Sequence, residues 1–396
     1  MNKVMQLEDK HNIPFFNKQP LVIEKGSGVW VTTDDGKVFL DFTSGWAVTS
    51  IGHAHPAITA ALINQSQKVI QNPNSGLTYS PARAMLLEKL VPLLPSDLTR
   101  VFFTNSGAES NDTAIKLARK ITGRSKVITT SHSFHGRTTT ALSVTGSKEK
   151  GSRFGCLDHD VEFIPFNDVK ALRLSLDESV AAFIVEPIQG EGGVNIPDQG
   201  YLEAASAICS ANGTLFVVDE IQTGFCRTGK FFATSDLDIK IDFLTMAKGL
   251  GGGFPIGAFA VSERVAAGLE PGDHGGTYCG NPLACAVASA VIDVLITENI
   301  EQHCAAMGQL ALQKLNQHLS NLPVIREIRG AGLLICVEFI DDHDADKVVE
   351  LCLDNGLFVT KTQSNMIRIF PALNVTEEEL QTGLERFTLS VEVLMG

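Results

Sequence analysis

Residues 242–254 read Asp-Phe-Leu-Thr-Met-Ala-Lys-Gly-Leu-Gly-Gly-Gly-Phe. The apolar run that leads into Lys248 is typical of a short buried strand, and glycines follow the lysine at once. Burying an unpaired ammonium is costly, so an amine held there tends to lose its proton. A neutral amine is a nucleophile that can form a Schiff base. The alternative interpretation is a surface lysine just past a strand end, followed by a flexible turn.

The upstream segment 214–220 reads Thr-Leu-Phe-Val-Val-Asp-Glu, a nearly continuous apolar run that ends in two acids. Such runs are typical of parallel strands buried on both faces. Ligands of open α/β sheets bind beyond the carboxyl ends of the strands, where Asp219 would lie. An aspartate facing a pyridinium nitrogen and a Schiff-base lysine are the two protein groups that pyridoxal phosphate chemistry needs. Alternatively, Asp219 is the N-cap of a helix.

Five apolar segments end in polar loops that are rich in small residues, and helical segments lie between them. The predicted strands end at Thr104, Thr130, Val185, Val218 and Ala247. This alternation predicts an α/β protein with a mainly parallel sheet and a functional site along one edge of that sheet.

The loop after Thr104 carries the small residues Ser106, Gly107 and Ala108, and an amphipathic helix follows it. Backbone N–H groups at such a helix N-terminus bind anions. Ser106, with Glu109 three residues later, also fits a capping box, and the two interpretations are compatible.

The loop after Thr130 contains Phe134 and Arg137. The Phe134 ring is suited to stacking on a flat cofactor ring, and Arg137 is suited to bidentate binding of a carboxylate. Taken alone, a phenylalanine is more often part of the core and an arginine more often part of a surface ion pair.

Two other kinds of site are disfavoured. The loop 224–230 fits the first part of a phosphate-binding P-loop, but Phe231 stands where Ser or Thr must reach the metal. His53 and His55 are possible metal ligands, yet the sequence shows no nearby carboxylate or cysteine cluster, so we expect a loop before a helix and no metal site.

The bulk properties predict a cytoplasmic protein that acts on small molecules. The chain has 396 residues, 44% hydrophobic and 19% charged, and a net charge of −13, which disfavours nucleic acid or an anionic membrane as a partner. Eight scattered cysteines without a CxxC pair favour reduced thiols over a disulfide framework. No signal peptide and no apolar run of about 18 residues are evident.

Local patterns predict several further elements. Residues 29–42 are expected to form a hairpin around Asp35–Gly36, and residues 57–70 a helix. The segment 365–371 alternates like a strand, with Met366, Arg368 and Phe370 on one face. Strands are also expected around residues 330–332, a long helix follows Ala284, and residues 376–379 form a capping box for the last helix.

The order and combination of these motifs resemble the class III (ω-amino) aminotransferases, which are pyridoxal-phosphate-dependent enzymes of fold type I. The resemblance extends from about residue 25 to the C-terminus and is carried by segments 52–56, 104–119, 134–138, 186–193, 219–229, 247–258 and 280–284. It implies a large domain, residues 51–295, with a mainly parallel sheet. It also implies a small α+β domain built from both termini, residues 1–50 and 296–396.

The resemblance implies roles around pyridoxal 5'-phosphate. Lys248 would be the Schiff-base lysine and would move the proton as general base and acid, while Asp219 would pair with the ring nitrogen. Gln222 would approach the ring hydroxyl and Phe134 would stack on the ring.

The phosphate group would lie in the loop of small residues, held by Ser106, Gly107 and Ala108. Thr277 would reach the phosphate of the neighbouring subunit. The resemblance therefore implies a homodimer with its site at the subunit interface.

On the substrate side, Arg137 resembles the arginine that binds the α-carboxylate in acetylornithine and ornithine aminotransferases. Glu191 and Arg368 resemble a gate pair, in which Glu191 masks Arg368 in one half-reaction and Arg368 binds 2-oxoglutarate in the other. The expected reaction moves the distal amino group of N-acetylornithine or ornithine to 2-oxoglutarate, giving a semialdehyde and glutamate.

Some positions depart from the acetylornithine pattern. Trp46 replaces a small aliphatic residue in the segment that lines the substrate pocket, Cys226 replaces a glycine, and Tyr278–Cys279 replaces Phe-Gly. Residues 94–99 resemble putrescine and 4-aminobutyrate enzymes more, so an aminotransferase for 4-aminobutyrate or a diamine is the alternative. Alternatives of another class are a racemase or epimerase and a non-catalytic protein that binds pyridoxal phosphate.

Overall fold

The computed structural model describes residues 2–95, 97–146, 154–155, 160–363 and 365–395. The strands of this part of the chain are β1 (Ile23–Ser27), β2 (Trp30–Thr33), β3 (Val38–Asp41), β4 (Leu98–Thr104), β5 (Lys126–Thr130), β6 (Val161–Ile164), β7 (Val180–Val185), β8 (Leu215–Asp219), β9 (Phe243–Met246), β10 (Gly257–Ser262), β11 (Ile325–Ala331), β12 (Leu334–Phe339), β13 (Leu357–Phe358), β14 (Thr360–Lys361) and β15 (Met366–Ile369).

The α-helices of the same residues are α1 (Lys3–His11), α2 (Ser44–Ala47), α3 (Pro56–Ser66), α4 (Pro81–Leu90), α5 (Gly107–Thr122), α6 (Thr139–Ser143), α7 (Val169–Ser175), α8 (Tyr201–Asn212), α9 (Glu263–Ala266), α10 (Pro282–Thr297), α11 (Ile300–Leu319), α12 (Asp342–Asp354) and α13 (Glu377–Met395). Single 3₁₀ turns lie at Ser75–Leu77, Val91–Leu93 and Lys248–Leu250.

A seven-stranded sheet in the order β4-β10-β9-β8-β7-β5-β6 forms the centre of the fold. The neighbours from β9 to β6 are parallel, whereas β10 runs antiparallel to both β4 and β9. The predicted mainly parallel sheet is therefore confirmed, although β10 was not expected. The predicted strand ends hold to within one residue, since β8 extends to Asp219 and β9 ends at Met246.

Hydrophobic side chains cover both faces of this sheet. Along β7, Phe183 and Val185 join one buried cluster, while Ala182 and Ile184 join another. Alternate residues of a strand point to opposite faces, so this division is what two covered faces require. The apolar side of α5 packs in the second cluster and α10 packs in the first.

Two smaller sheets flank the central one, in the orders β1-β2-β3-β13 and β11-β12-β15-β14. In the first sheet β3 lies parallel to β13, with Leu40 beside Leu357, so this sheet joins strands from both ends of the chain. The division into domains at residues 50/51 and 295/296 stays a prediction.

Most local predictions agree with the structure. The hairpin around Asp35–Gly36 joins the antiparallel strands β2 and β3. The strands around residues 330–332 are β11 and β12, and α10 is the long helix at Ala284. The helix expected over residues 57–70 is shorter, because α3 ends at Ser66. The capping box is present, since the Glu379 N–H donates to Thr376 Oγ1 at 3.2 Å and the Thr376 N–H to Glu379 Oε2 at 2.9 Å.

Seven of the cysteines are buried free thiols, and Cys156 lies outside the described residues. Ser96, within the segment 94–99 that was compared with other aminotransferases, also lies outside them. Among the described residues, no single helix is long and apolar enough to cross a membrane. By length and composition alone α10 and α11 pass such a test together, with a 66° bend between them.

Candidate active site

A cavity of about 570 Å³ opens beyond the carboxyl ends of β4, β8 and β9. This is the edge of the sheet at which a ligand was expected. Most of the predicted site residues line it, namely Trp46, Ser106, Gly107, Ala108, Phe134, Arg137, Glu191, Asp219, Gln222 and Lys248.

Lys248 follows β9 and begins a single 3₁₀ turn with a positive φ of 38°. Its half-buried side chain reaches the cavity, and loss of hydration there lowers the pKa of the amine to about 8. Nearby Glu191 opposes this shift and Arg368 adds to it. The interpretation of Lys248 as an ordinary surface lysine is therefore wrong, because the amine lies in a cavity that favours its neutral form.

The carboxylate of Asp219 is held by three neighbours at the end of β8. Its Oδ2 accepts hydrogen bonds from His135 Nδ1 at 2.7 Å and from Asn111 Nδ2 at 2.7 Å. Its Oδ1 accepts one from the Ile221 N–H at 3.0 Å. Thr245 Oγ1 donates to Asn111 Oδ1 at 2.7 Å, which fixes the direction of that amide. The buried charge is thus compensated, and Oδ1 can accept a further bond from the cavity.

His135 and Asn111 were not predicted from the sequence. Asn111 lies on the buried side of α5, and His135 is nearly fully buried. For Asn111 the available signal was a polar residue at a position where the amphipathic pattern of a helix calls for an apolar one, whereas His135 lies outside any helix or strand.

Two buried polar atoms near the cavity have no hydrogen-bond partner among the described residues, Gln222 Oε1 and His135 Nε2. Gly190 makes room for the first, because a Cβ at this position would lie 1.6 Å from Gln222 Oε1. Buried polar atoms are normally paired, so an open amide oxygen beside a cavity indicates a ligand with a matching polar group.

Glu186, directly after β7, also lines the cavity and was missing from the predicted site. Its carboxyl group accepts hydrogen bonds from the Phe134 N–H at 2.9 Å and the Gly190 N–H at 3.1 Å. Burial, as the largest cause, raises its pKa to about 7, with His135 opposing and Asp219 adding to the shift. Its position at a strand end, like that of Asp219, was the signal in the sequence.

The loop of small residues forms the start of α5. Ser106 is the N-cap, and its Oγ accepts from the Glu109 N–H at 3.2 Å. The predicted capping box is only half correct, because Glu109 Oε2 accepts from the Asn105 N–H at 2.7 Å and not from that of Ser106. A Cβ at Gly107 would lie 2.7 Å from Ile221 Cδ1, so glycine permits the close approach of these two loops.

Arg368, in β15, does not line the cavity directly but contacts it through Glu191. The Nη1 of this arginine lies 2.5 Å from Glu191 Oε2. The Arg368 side chain is 1% exposed and that of Glu191 is 36% exposed. The Arg368 guanidinium also lies 4.8 Å from the centre of the Phe370 ring, and its Nε has no partner among the described residues. The two residues predicted as a pair are therefore in contact.

Arg137 is exposed at the cavity, and its guanidinium lies 5.9 Å from the centre of the Phe134 ring. No ion pair joins it to a carboxylate of the described residues, so the surface ion pair considered for Arg137 is not found there. Phe134 is half-buried and lines the cavity rather than the core. Both side chains are thus available to a ligand.

Trp46 reaches the cavity from a turn with unusual backbone geometry. All four residues of α2 have positive φ values, including 44° at Ser44 and 65° at Trp46. Such left-handed turns are unfavourable for residues other than glycine. This one is held by Asp41 Oδ1, which accepts from the Ser44 N–H at 3.1 Å, and by Ser44 Oγ, which donates to the Phe370 carbonyl at 2.6 Å.

Phe16 was also not predicted from the sequence. It lines the cavity, and its ring centre lies 5.8 Å from that of Trp46. The two rings form an aromatic wall at the mouth of the cavity. No periodic pattern around residues 13–19 indicated this contact, since the segment belongs to neither a helix nor a strand.

Thr277 is exposed and does not line the cavity of its own chain. Its carbonyl oxygen accepts hydrogen bonds from Ser75 Oγ and Gln71 Nε2, both at 2.5 Å. Beside it lie exposed apolar side chains, with Leu77 88% exposed and Tyr278 64% exposed.

The two histidines considered as metal ligands have structural roles. His53 Nε2 lies 2.8 Å from Asp41 Oδ2, so a carboxylate does lie beside it, and His55 is the N-cap of α3. The described residues contain no group of three or more potential metal ligands.

The loop 224–230, which partly fits a P-loop, is a turn with positive φ values at Phe225 and Cys226 that is mostly buried, although Lys230 is exposed. It does not line the cavity. Cys279 lies beside the small-residue loop, where its Sγ donates to Glu109 Oε1 at 3.4 Å.

Comparison with known proteins gives a consistent result. The sequence matches the family described as Aminotransferase class-III over residues 15–391. It is 40% identical to the acetylornithine aminotransferase of Methanothermobacter thermautotrophicus over 97% of each chain. It is also 41% identical to the acetylornithine aminotransferase of Methanopyrus kandleri over 96% of each chain.

Solved structures of similar proteins share the fold. The ornithine aminotransferase of Toxoplasma gondii superposes with a TM-score of 0.94 at 35% identity, covering 99% of this chain and 95% of that one. The acetylornithine aminotransferase of Elizabethkingia anophelis superposes with a TM-score of 0.86 at 33% identity, covering 98% of each chain.

The cofactor of this family, pyridoxal 5'-phosphate, fits the residues of the cavity. A lysine with a lowered pKa, a fixed buried aspartate, an unpaired amide oxygen and a helix N-terminus match its aldehyde, ring nitrogen, ring hydroxyl and phosphate. The fold, the cavity and the relatives agree, and the chain belongs to the class III aminotransferases, which are pyridoxal-phosphate-dependent transaminases of fold type I.

Proposed function

We propose that this protein moves the distal amino group of N-acetylornithine or ornithine to 2-oxoglutarate, producing a semialdehyde and glutamate. The observation that carries the proposal is the contact between the buried Arg368 and the partly exposed Glu191 at the cavity. A pocket for two different substrates must accept an uncharged or cationic distal group in one half-reaction and a carboxylate in the other. A movable carboxylate that neutralises an arginine serves both.

The cofactor would be bound at one end of the cavity, here called the cofactor end. Residues of this chain would make all of its contacts except one at the phosphate, which would come from the neighbouring subunit. Lys248 would carry the cofactor, Asp219 would keep its ring nitrogen protonated, and Gln222 would bind the ring hydroxyl. Phe134 would stack on the ring. When bound, the cofactor supplies a protonated ring that takes up the electrons of the substrate carbon.

The phosphate would be bound by the N-terminus of α5, through Ser106, Gly107 and Ala108. The partial positive charge of the helix N-terminus and its free N–H groups favour a dianion at this place. Thr277 would complete the phosphate site of the neighbouring subunit.

Lys248 would also move the proton at the substrate carbon. A pKa of about 8 leaves roughly a tenth of its amine neutral at pH 7, far more than an ordinary lysine, and a base is most effective when its pKa lies near the working pH. The carboxylate of the donor would be bound by Arg137, which has no competing acid among the described residues. This availability favours amino-acid donors over plain diamines.

Trp46 and Phe16 would form the outer wall of the substrate pocket. A flat apolar wall favours a donor whose α-amino group, at the end away from the reacting amine, carries no charge, and the acetylated α-amino group of N-acetylornithine meets this condition. A 4-aminobutyrate or diamine donor is the second candidate, supported by the replacement of a small residue by Trp46.

We further propose a homodimer in the cytoplasm without a nucleic-acid or membrane partner. Thr277, Leu77, Tyr79 and Tyr278 form an exposed surface, partly apolar, that is suited to burial against a second copy. The net charge of −13 and the buried free thiols are compatible with this environment.

The proposal is tested by titrating the holoprotein with amines while the visible absorbance of the cofactor is recorded. The panel contains N-acetylornithine, ornithine, 4-aminobutyrate, putrescine, lysine and β-alanine. We expect N-acetylornithine or ornithine to bleach the absorbance at the lowest concentration, and 2-oxoglutarate to restore it.

Other outcomes separate the alternatives. Preferential bleaching by putrescine or 4-aminobutyrate would move the protein to the second candidate. Failure of every distal amine would overturn the proposed donor class. Recovery without 2-oxoglutarate would contradict the role of Arg368 and favour a racemase.

A further inference from the structure

Arg227 is a second buried arginine near the proposed acceptor site. It is 2% exposed, and among the described residues no carboxylate forms an ion pair with it. Burial lowers its pKa to about 10, so it stays charged at neutral pH, and the nearby thiols of Cys304 and Cys226 favour the charge only in part. Burying a charge without an acid partner is costly, so its other contacts must hold it in place.

Those contacts tie together β15, which carries Arg368, and the neighbouring strand β12. Arg227 Nη1 donates to the carbonyl oxygens of Leu333 at 3.0 Å and Pro371 at 2.7 Å. Leu333 precedes β12 and Pro371 follows β15, and these strands are paired with Ile335 opposite Ile369. Two further steps of this register bring Leu333 opposite Pro371. The Arg227 guanidinium therefore links the ends of β12 and β15 by binding a carbonyl oxygen next to each strand.

The two arginines also share one aromatic ring. The Arg227 guanidinium lies 5.8 Å from the centre of the Phe370 ring, and that of Arg368 lies 4.8 Å from the same centre. Phe370 is nearly fully buried, and its backbone N–H donates to the Phe42 carbonyl at 2.8 Å. The Phe370 ring is thus fixed by its backbone hydrogen bond and by its contact with Arg227. Because the Arg368 guanidinium packs on the same ring, the positions that this guanidinium can adopt are limited.

We propose that Arg227 is a positioning residue for the acceptor half-reaction, holding Phe370 and the strand ends so that Arg368 is oriented for a carboxylate of 2-oxoglutarate. This inference rests on the proposed role of Arg368. The orientation matters because bidentate binding of a carboxylate by arginine needs both N–H groups in line. Glu191 supplies one carboxylate to Arg368, and the acceptor takes its place.

Arg227 touches neither the cavity nor the proposed donor site, so its effect should be confined to the acceptor. In Arg227→Met, a side chain of similar length without charge, we expect the saturation constant for 2-oxoglutarate to rise by about tenfold to a hundredfold. The single-turnover rate with the amino donor should stay within about twofold of the original protein. Arg227→Lys keeps the charge but loses the planar fork, and an intermediate value is expected.

The inhibition constant of glutarate gives a readout that does not depend on chemistry, because glutarate has both carboxylates of the acceptor and no oxo group. It should rise in parallel with the constant for 2-oxoglutarate. Arg326→Met is the matched control, since Arg326 lies on β11 of the same small sheet and pairs with Glu338 at 3.0 Å. No change in either constant is expected for this variant.

If Arg227→Met impairs the reaction with the donor as much as it weakens binding of 2-oxoglutarate, the proposal is overturned. An unchanged inhibition constant of glutarate would also overturn it. If Arg227→Met does not fold, Phe370→Leu tests the same contact by removing the shared ring, and an unchanged acceptor constant there would also overturn it. Arg368→Met distinguishes a failure of the proposed acceptor site from a failure of the positioning role of Arg227. If it leaves 2-oxoglutarate binding unchanged, the proposed acceptor site and this inference both fall; if it weakens binding while Arg227→Met does not, only this inference falls.

Discussion

The two ends of the cavity differ in how completely their polar groups are held. At the cofactor end, the Asp219 carboxylate accepts hydrogen bonds from His135, Asn111 and the Ile221 N–H. At the substrate end, Arg137 has no acid partner among the described residues, and Arg368 is paired with the partly exposed Glu191. The first arrangement suits a permanent ligand of one shape. The second suits molecules that alternate, because a substrate carboxylate can replace that of the partly exposed Glu191 and keep Arg368 paired.

Lys248→Ala changes the cofactor end and should have the largest effect on the rate of transamination. Transamination is expected to fall by at least about 10⁴-fold with every donor, because nucleophile and proton carrier are lost together. Steady-state rates with two donors measure this, and Lys240→Ala, at an exposed lysine, is the control. Substantial turnover in the Lys248 variant would remove the cofactor end as the place of chemistry.

Asp219→Asn keeps the size of the side chain and removes its charge. We expect turnover to fall by about 10³-fold with amino-acid donors and diamines alike, because the ring nitrogen loses the carboxylate that keeps it protonated. The ratio of the rates for the two kinds of donor is the quantity to measure. A loss confined to one donor class would contradict the division between the two ends.

Arg137→Ala changes the substrate end and should affect only donors that have a carboxylate. The specificity constant kcat/KM for ornithine or N-acetylornithine is expected to fall by about 10²-fold, which corresponds to the loss of a charge-assisted bidentate contact. That for putrescine should change little, because putrescine has no carboxylate. Arg100→Ala, at an exposed arginine paired with Glu263 at 2.8 Å, is the control. Equal losses for all donors would remove Arg137 from carboxylate binding.

The lowered pKa of Lys248 predicts how cofactor attachment depends on pH. An amine with a pKa of about 8 is mainly protonated at pH 7 and mainly neutral at pH 9. Because the neutral amine is the nucleophile, the rate of reconstitution of the apoprotein should rise about tenfold between these values and then level off. Stopped-flow absorbance at a series of pH values measures it. A rate still rising steeply above pH 9 would indicate an ordinary lysine pKa.

Trp46 offers the smallest and most local test. Trp46→Gly and Trp46→Ala both remove the contact with Phe16, but only glycine relieves the positive φ of 65°. We expect the free energy of unfolding in urea to be about 1 kcal/mol higher for the glycine variant than for the alanine variant. KM for the donor should shift by a similar factor in both, about twofold to fivefold. If the alanine variant is the more stable one, the turn does not store backbone strain.

The cofactor end was largely predictable from the sequence because its residues follow strand ends. Asp219, Lys248 and the loop at Ser106 each stand next to an apolar run, and the carboxyl ends of parallel strands meet along one edge. The partners of Asp219 were not predictable in the same way. His135 and Asn111 are distant from it in the sequence, and only the order of strands in the sheet brings them together.

The substrate end depends more on tertiary contacts. The contact of Glu191 with Arg368 was expected only from the resemblance to known aminotransferases, since Glu191 lies in a loop after β7 and Arg368 lies on β15. Phe16 was missed because it belongs to an irregular segment without periodicity. β10 was missed although it is a six-residue strand, because its run of small residues after a glycine-rich turn carries a weak strand pattern.

The pairing of β3 with β13 has a consequence for protein synthesis. Leu40 emerges from the ribosome long before its neighbour Leu357. At about 5–20 residues per second, the first strands wait for at least about 15 s until their partner has been translated. The segments that form the cofactor end are translated well within that interval. The emerging chain therefore contains its own cofactor-end residues before its small sheets can form, and apolar side chains of the N-terminal hairpin remain a target for chaperones until the last strands arrive.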